Sequence, residues 1–500
     1  MADSDVRGTA SDSVSLPATE QEVSSTRMRL LLVGTNQGRP FILEESIKTT
    51  RELNVELLLL DNPEARIFSR DVVPDANFIG AQIDSHDPDV VESIVEQVLQ
   101  ATGGQVDAVI TFLNPYAELA GMLVDVLGAA GNSAAAVAAA HTKSTARELL
   151  LRIPSIATPY RVVASVDEAM KAYRELGGGK FVMKPIHGGG SALVITDIDS
   201  AEMAGAVYRE IEAGLEEFAL RPDAGVFMLD RNPGIMIERQ LEGPEVDVEL
   251  VLENGQVKFW HVSDNPPMDK PYAVEKGITF PSALPRAWQE SLVESAGLAV
   301  AALGLKTGNM HVEMIATAEG PRILEVNARM GGAFVWRIIK DLTGINLVEQ
   351  GLRSVLGLSV ASGPEARTVI DARFLIPKAT GKIETLECLD SIEKEPGIER
   401  VAVFKKVGDN VEVLPDDYFG WVSAAGRTYD EAASAMLAAL DKVRITIRRS
   451  DGTLVEQTAA FAQPKLDMRT LLASGVRHGP PGYSRGEFES REVASADEAQ

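Results

Sequence analysis

The stretch GNMHVEMIATAEGPRILEVNARMGGAF, Gly308 to Phe334, decides how the rest of the chain is read. It reads as two strands joined by the loop Ala318-Glu319-Gly320, with Gly320 at the left-handed position of a three-residue hairpin. Centring the loop on Glu319 pairs Thr317 with Pro321, Ile315 with Ile323, Glu313 with Glu325, and His311 with Asn327. Side chains alternate along a strand, so Glu313, Glu325 and Asn327 share one face. Val312, Met314, Ala316, Leu324, Val326 and Ala328 share the other, an apolar face that reads as core.

Two carboxylates directly opposite on a sheet repel each other. A hard divalent cation would compensate them. Mg²⁺ takes oxygen ligands and keeps one or two protein carboxylates plus substrate phosphates, so two glutamates and an amide oxygen suit it, with Mn²⁺ as the alternative. Arg329 follows at once, a planar fork suited to phosphate or carboxylate. Gly331-Gly332 then lead into an apolar helix from about Ala333, whose N-terminus is an anion site. The bland alternative is a solvated polar face on an ordinary hairpin.

The totals narrow the classes. A chain of 500 residues suggests about two to four domains. A hydrophobic share of 45% is that of a soluble globular protein. Lys+Arg 48 against Asp+Glu 73 gives a net charge of −25, which argues against nucleic acid as a partner. The lone Cys388 excludes an intrachain disulfide and a cysteine metal cluster, and points to a reducing compartment. The first residues carry no apolar signal-peptide core and no run is long enough to span a bilayer, so a cytoplasmic protein without a membrane partner is expected.

In chain order, residues 1–27 are Ser/Thr- and acid-rich and read as a disordered tail. The apolar runs MRLLLVG from Met28, VELLLLD from Val55 and VDAVITFLN from Val106 alternate with helical patterns. That is a parallel, Rossmann-like α/β lobe over 28–135, without the G-x-G-x-x-G of a dinucleotide site. Gly128 to Ala140 reads as a linker, and His141–Arg152 as a helix with Lys143 near its start. Lys180–Thr196 reads strand, glycine loop, strand. Lys184 ends the first strand, and the backbone N–H groups of Gly188, Gly189, Gly190 and Ser191 can close over phosphates. Gly177-Gly178-Gly179-Lys180 lacks the spacing and Ser/Thr of a P-loop. Gly234–Asp264 reads as a strand, a Gly-Pro turn between Glu238 and Glu245, and a hairpin turning at Asn254-Gly255. Val274–Ser282 is expected to be an irregular site loop, and Arg286–Leu303 and Asn346–Leu356 helices. A smaller α+β unit is expected over 365–460, with strands in TVIDARFLIP, VAVFKK, VEVLP, YFGWVSAAG and RITIRR and a helix at Glu431–Lys442. Residues 461–500 read as a second disordered tail.

Of the remaining candidates, His187, His261 and His311 lack metal-site spacing, and His261 reads as packing. Trp260 and Trp336 read as core or pocket wall, and Arg337 and Lys340 as a solvated helix face.

Taken in order, Lys143, Lys184 with its glycine loop, ERQLEGPE, and the acid–acid–Asn–Arg series on paired strands resemble the ATP-grasp superfamily over roughly 28–450. EVNARMGG and VEKGITFPS look most like its L-amino-acid ligases, a group that includes dipeptide synthetases and carnosine synthases. The resemblance implies an α/β and α+β multidomain chain. Its ATP-grasp domain would span 136–360, with a glycine-loop subdomain at about 155–240 and the metal-site hairpin at 308–329, followed by the C-terminal domain. It also implies that Lys143 and Lys184 hold the ATP phosphates under Gly188–Ser191. The segment Glu238, Arg239, Gln240, Leu241 would be the hinge beside adenine, with Glu238 near its amino group. Glu245 would bind ribose, and Glu313, Glu325 and Asn327 would hold two Mg²⁺ ions. Arg329 would bind the carboxylate and the phosphoryl group passing to it, beside Gly331 and Gly332, and Glu275 would face the substrate amino group. Several relatives carry a histidine two to three residues after that acid, where this chain has Gly277-Ile278.

The activity so implied is an ATP-dependent carboxylate–amine ligase. It would make a dipeptide or amino-acid amide through an acyl phosphate, releasing ADP and phosphate, with small carboxylates and amines, amino acids among them, as partners. A homo-oligomer is compatible with the sequence. One alternative is a nucleotide-biosynthesis enzyme acting on a ribonucleotide, which needs a basic cluster that the N-terminal lobe lacks. The other is a non-catalytic ATP-binding protein, which would have to have lost a lysine or an acid.

Overall fold

The structure is a computed structural model that describes residues 27–35, 40–85, 87–189, 193–220, 234–267, 275–332, 334–363, 366–389, 391–413 and 417–461. Nearly all of both expected tails, most of the turn after Gly34, and Gly190 and Ser191 lie outside the described residues.

Four short strands build the first layer: β1 (Arg29–Val33), β2 (Glu56–Asp61), β3 (Phe78–Gly80) and β4 (Ala108–Ile110). They are parallel in the order β3-β2-β1-β4, and their near-continuous apolar runs are buried on both faces. The short β3 was not anticipated, because three residues carry no readable period.

The alanine-rich stretch after Gly128 is no linker. Residues Ala134–His141 form a helix capped by the Ser133 hydroxyl, which accepts from the Ala136 N–H. Alanine has the highest helix propensity, and its small side chain lets this helix lie close to its neighbour: a Cβ on Gly121 would come within 2.8 Å of Ala134. The helix carrying Lys143 is correspondingly shorter, Lys143–Leu150.

The next unit is an antiparallel sheet of β5 (Tyr160–Val163), β6 (Phe181–Pro185), β7 (Ile195–Ile198) and β8 (Ile235–Arg239), in the order β5-β8-β6-β7. Phe181, Met183, Ile195 and Ile237 pack against Ala204, Val207 and Ile211 of the helix Ala201–Ala219.

The remaining strands are β9 (Glu245–Glu253), β10 (Gln256–Asp264), β11 (Gly277–Phe280), β12 (Gly308–Thr317), β13 (Gly320–Asn327) and β14 (Val369–Phe374), then β15 (Gly381–Glu387), β16 (Ile398–Val403), β17 (Asn410–Val411), β18 (Gly420–Gly426), β19 (Arg444–Arg448) and β20 (Leu454–Thr458). Eight of them form the central sheet, β13-β12-β9-β10-β11-β14-β18-β16, and four form a separate one, β17-β15-β19-β20. The sheet that carries the hairpin of β12 and β13 therefore runs on into strands beyond residue 365. The helix Arg286–Ala302 packs on one face of the central sheet, and Val335–Thr343 and Leu347–Val355 on the other.

Three local expectations change. Gly277–Phe280, expected as loop, is β11, bonded between β10 and β14. Its polar residues are satisfied inside the sheet, where Thr279 donates to Asp371 at 3.1 Å, while Ile278 and Phe280 enter the core. Lys340, expected in solvent, pairs with Glu45 of the N-terminal lobe, and Trp336 on the same helix stacks on Phe41 at 4.0 Å. The hairpin β12–β13 keeps the expected pairs His311–Asn327 and Glu313–Glu325, but turns through two residues with Thr317 opposite Gly320. A bulge after Glu313 absorbs the difference, so that Ile323, not Leu324, fills the core face.

Candidate active site

Strand pairing lays two polar rows across the middle of the central sheet. Asp247 of β9 stands opposite Glu313 of β12, which stands opposite Glu325 of β13. One step along, Glu249, His311 and Asn327 form the second row. Alternation keeps both rows on one face. So many acids in one patch demand positive charge. Burial pushes Glu245 up to about 8, with Glu313 and Asp247 adding to the shift, and raises Asp247 as well.

Two cations and a histidine meet these carboxylates. Lys143 starts its helix with its N–H on the carbonyl of Ile186, and its Nζ lies 3.5 Å from Glu325 Oε1 and donates to the carbonyl of Gly188 at 2.6 Å. His311 Nδ1 lies 2.5 Å from Glu249 Oε1, and its Nε2 lies 3.6 Å from Glu313 Oε1. Burial lowers the His311 pKa, but Glu249 and Asp247 outweigh it and hold the ring well above its ordinary value. Burial likewise works against the charge on Glu313, and His311, Arg329 and Lys143 reverse it, so this carboxylate is held below its ordinary range.

The donor set fits a hard divalent ion. Among the described residues no three His, Cys, Asp or Glu side chains converge as a complete metal cage. Two opposed glutamates and the Asn327 amide are instead a partial oxygen set, of the kind that Mg²⁺ would complete with phosphates and water. Asn327 Oδ1 accepts from Asn114 of the N-terminal lobe at 2.6 Å, which orients that oxygen.

Lys184, at the end of β6, lies 2.6 Å from Glu238 Oε1 of β8. Arg147 closes the other side of Glu238, with Nε at 2.5 Å and a terminal nitrogen at 3.1 Å, and also donates to the carbonyl of Leu324 at 2.8 Å. Burial opposes the Glu238 charge, but Arg147 and Lys184 overcome it and hold the carboxyl at about 2. Burial pulls the Lys184 pKa down. Arg147 was not singled out from sequence, although it lies one turn after Lys143 on the same helix face, a signal that was available. Both Glu238 oxygens thus face cations of the site. Arg239 turns outward, donating to the carbonyl of Leu176 at 2.9 Å, and Gln240 bonds Asp197. Leu241 and Glu245 are half-buried.

Gly188 and Gly189 are half-buried, with Gly188 bonded through its carbonyl to Lys143 and in a left-handed conformation at φ +124°. Arg329, half-buried, donates to the carbonyl of Met330 at 2.8 Å. Glu275 precedes β11 by two residues, and its carbonyl accepts from the Tyr418 hydroxyl at 3.2 Å. Gly331 donates to Glu249 Oε2 at 3.0 Å, and Gly332 follows it, half-buried. Glu249 was missed because its partners lie on other strands. His261 packs on Phe280 with its ring nitrogens unpartnered and, through burial, a pKa lowered to about 4.

Two segments match known families: residues 178–336 the ATP-grasp domain, and residues 373–448 the L-amino acid ligase C-terminal domain 2. Human carnosine synthase 1 is 26% identical over 434 residues, which cover 82% of this chain and 50% of the human protein. The chain therefore spans about half the length of that relative. Among solved structures, L-amino acid ligase from Bacillus licheniformis superposes with a TM-score of 0.65 at 20% identity, covering 85% of this chain and 99% of that one. Carboxyaminoimidazole ribonucleotide synthase from Aspergillus clavatus superposes with a TM-score of 0.62 at 15% identity, covering 83% and 98%. At such identities the structural likeness shows the fold.

Proposed function

From the ATP-grasp fold of this chain and its L-amino acid ligase C-terminal domain, we propose a carboxylate–amine ligase that joins amino acids at the expense of ATP. The observation that carries the reading is the Glu313–Glu325 pair, flanked by Lys143 and in the field of Arg329.

In this reading the carboxylate substrate attacks the terminal phosphorus of ATP, the bond to ADP breaks, and an acyl phosphate forms. The amine then attacks the acyl carbon, phosphate leaves with the C–O bond pair, and the nitrogen loses its proton to solvent. Little covalent help is needed, so alignment and charge neutralisation do the catalysis. Mg²⁺, held by Glu313, Glu325 and Asn327, would neutralise phosphate charge. Lys143 and Lys184 face the phosphates, and Arg329 orients the carboxylate beside the backbone of Gly331 and Gly332. Gly188, whose carbonyl accepts from Lys143, would lie against the phosphates, and shielding an acyl phosphate from water protects it from hydrolysis. Glu275 faces the amine and Glu245 the ribose. Because Arg147 and Lys184 already engage both Glu238 oxygens, adenine contacts fall to the backbone of Gln240 and Leu241.

The test is phosphate release from ATP and Mg²⁺ with single and paired amino acids, followed by mass spectrometry. Release that depends on two amino acids, with a dipeptide mass, is the expected result. Release with no amide product, or none with any pair, would overturn the reading.

A further inference from the structure

We propose that Glu249 is a positioning residue that couples the metal-side carboxylate Glu313 to the Arg329 loop. The inference rests on the ligase reading of the same site only in taking Glu313 as a metal ligand.

Glu249 lies mid-strand on β9 and is 1% exposed. A buried carboxylate carries a large desolvation cost and persists where its oxygens are answered. Each oxygen of Glu249 is answered by a different part of the site. Oε1 holds His311 Nδ1 at 2.5 Å, and the opposite nitrogen of that ring faces Glu313 Oε1 at 3.6 Å. Oε2 accepts the N–H of Gly331 at 3.0 Å, two residues after Arg329. The approach is so close that a Cβ on Gly331 would stand 2.3 Å from Glu249 Oε1.

One rigid side chain therefore sets two spacings at once. Through the imidazole it limits rotation of the Glu313 carboxylate, as groups behind metal ligands commonly do. Through the amide it anchors the turn that presents Arg329. A residue serving only stability would not need to reach both. Among the described residues, Asp247, one pleat along on β9, also acts on His311, and His261 stands across from Glu249 on β10.

The experiment compares Glu249→Ala, Glu249→Gln, His311→Gln and the Glu249→Ala/His311→Gln double variant with wild type. Each is titrated with Mn²⁺ in the presence of ADP by electron paramagnetic resonance, with circular-dichroism melts as the folding control. Losing a group behind a metal ligand typically weakens metal affinity by about 10- to 100-fold. Glu249→Ala and His311→Gln should each show such a loss. The double variant should be no weaker than the weaker single, because both act through one chain of contacts. Glu249→Gln still accepts from Gly331, so in a turnover assay it should recover the KM for the carboxylate substrate without recovering Mn²⁺ affinity. Unchanged Mn²⁺ affinity in a folded variant, or losses that multiply in the double variant, would overturn the proposal. If Glu249→Ala does not fold, the two glutamine variants carry the same comparison. Mn²⁺ binding is read without turnover, so absent amide synthesis would count against the ligase reading alone, whereas a wild-type ADP complex that binds no Mn²⁺ would overturn both.

Discussion

Lys143 and Glu325 stand 3.5 Å apart, and the same ammonium donates to the carbonyl of Gly188. One side chain thus joins Gly188 to strand β13. Lys143→Met should lower kcat/KM for ATP by about 100-fold or more, the typical loss for one preorganised charge-stabilising donor. ADP formation by a coupled assay reads it, and an unchanged rate would remove Lys143 from the chemistry.

Glu325→Ala and Arg329→Ala should abolish ADP formation while the circular-dichroism spectrum and a cooperative melt persist. Neither side chain is deeply packed, so folding does not depend on them. Normal turnover in both variants would sink the assignment.

Arg147 supplies two of the bonds to Glu238, with Lys184 completing the set. Removing one partner of a buried ion cluster leaves charge unanswered, which costs about 3–5 kcal/mol. Arg147→Ala should therefore lower the urea midpoint markedly, and a midpoint matching wild type would show that Lys184 alone suffices.

The same carboxyl gives a pH signature. Its folded pKa, about 2, lies below the ordinary 4.5, so its contribution is complete above about 4.5 and is lost as pH falls toward 2. Burial lowers the Lys184 pKa in opposition, so the slope rather than the size of the pair's contribution is diagnostic. Glu238→Gln should flatten the stability profile between pH 4.5 and 2, measured by urea midpoints across that range.

Chelation should stop phosphate release, and added Mg²⁺ should restore it, with Mn²⁺ as a substitute. Release that persists in excess chelator would contradict the role given to Glu313, Glu325 and Asn327.

The central hairpin was legible because alternation with period two is local. Centring the turn on Glu319 sets Glu313 opposite Glu325, and that pair holds because the bulge after Glu313 offsets a turn one residue shorter than expected, whereas Ile315 and Thr317 take other partners. The bulge that turns Ile323 inward was not legible, since packing against the helix Arg286–Ala302 and its neighbours decides it. Glu249 escaped for a similar reason, because its meaning appears only when β9 lies beside β12, about sixty positions later in the chain. Strand β11 was misread because Gly277, Thr279 and Ser282 look like loop residues until Asp371 and Asp264 supply their partners. The run Ala134 to Ala140, alanine except for Val137, misled in the opposite sense, since so few large apolar residues give no amphipathic signal even when the helix packs closely.

The run of β11, β14, β18 and β16 as neighbours in one sheet bears on how this architecture can be recombined. A chimera joined near residue 365 would not exchange a detachable cap. It would break hydrogen-bonded ladders between β11 and β14 and leave β11 as a raw edge, which invites intermolecular strand pairing. A splice after β18, at the loop Arg427–Thr428, would keep β11's partner but would cut the β15–β19 ladder of the separate sheet, so the segment from β14 to β20 exchanges only together with the strand edge it completes.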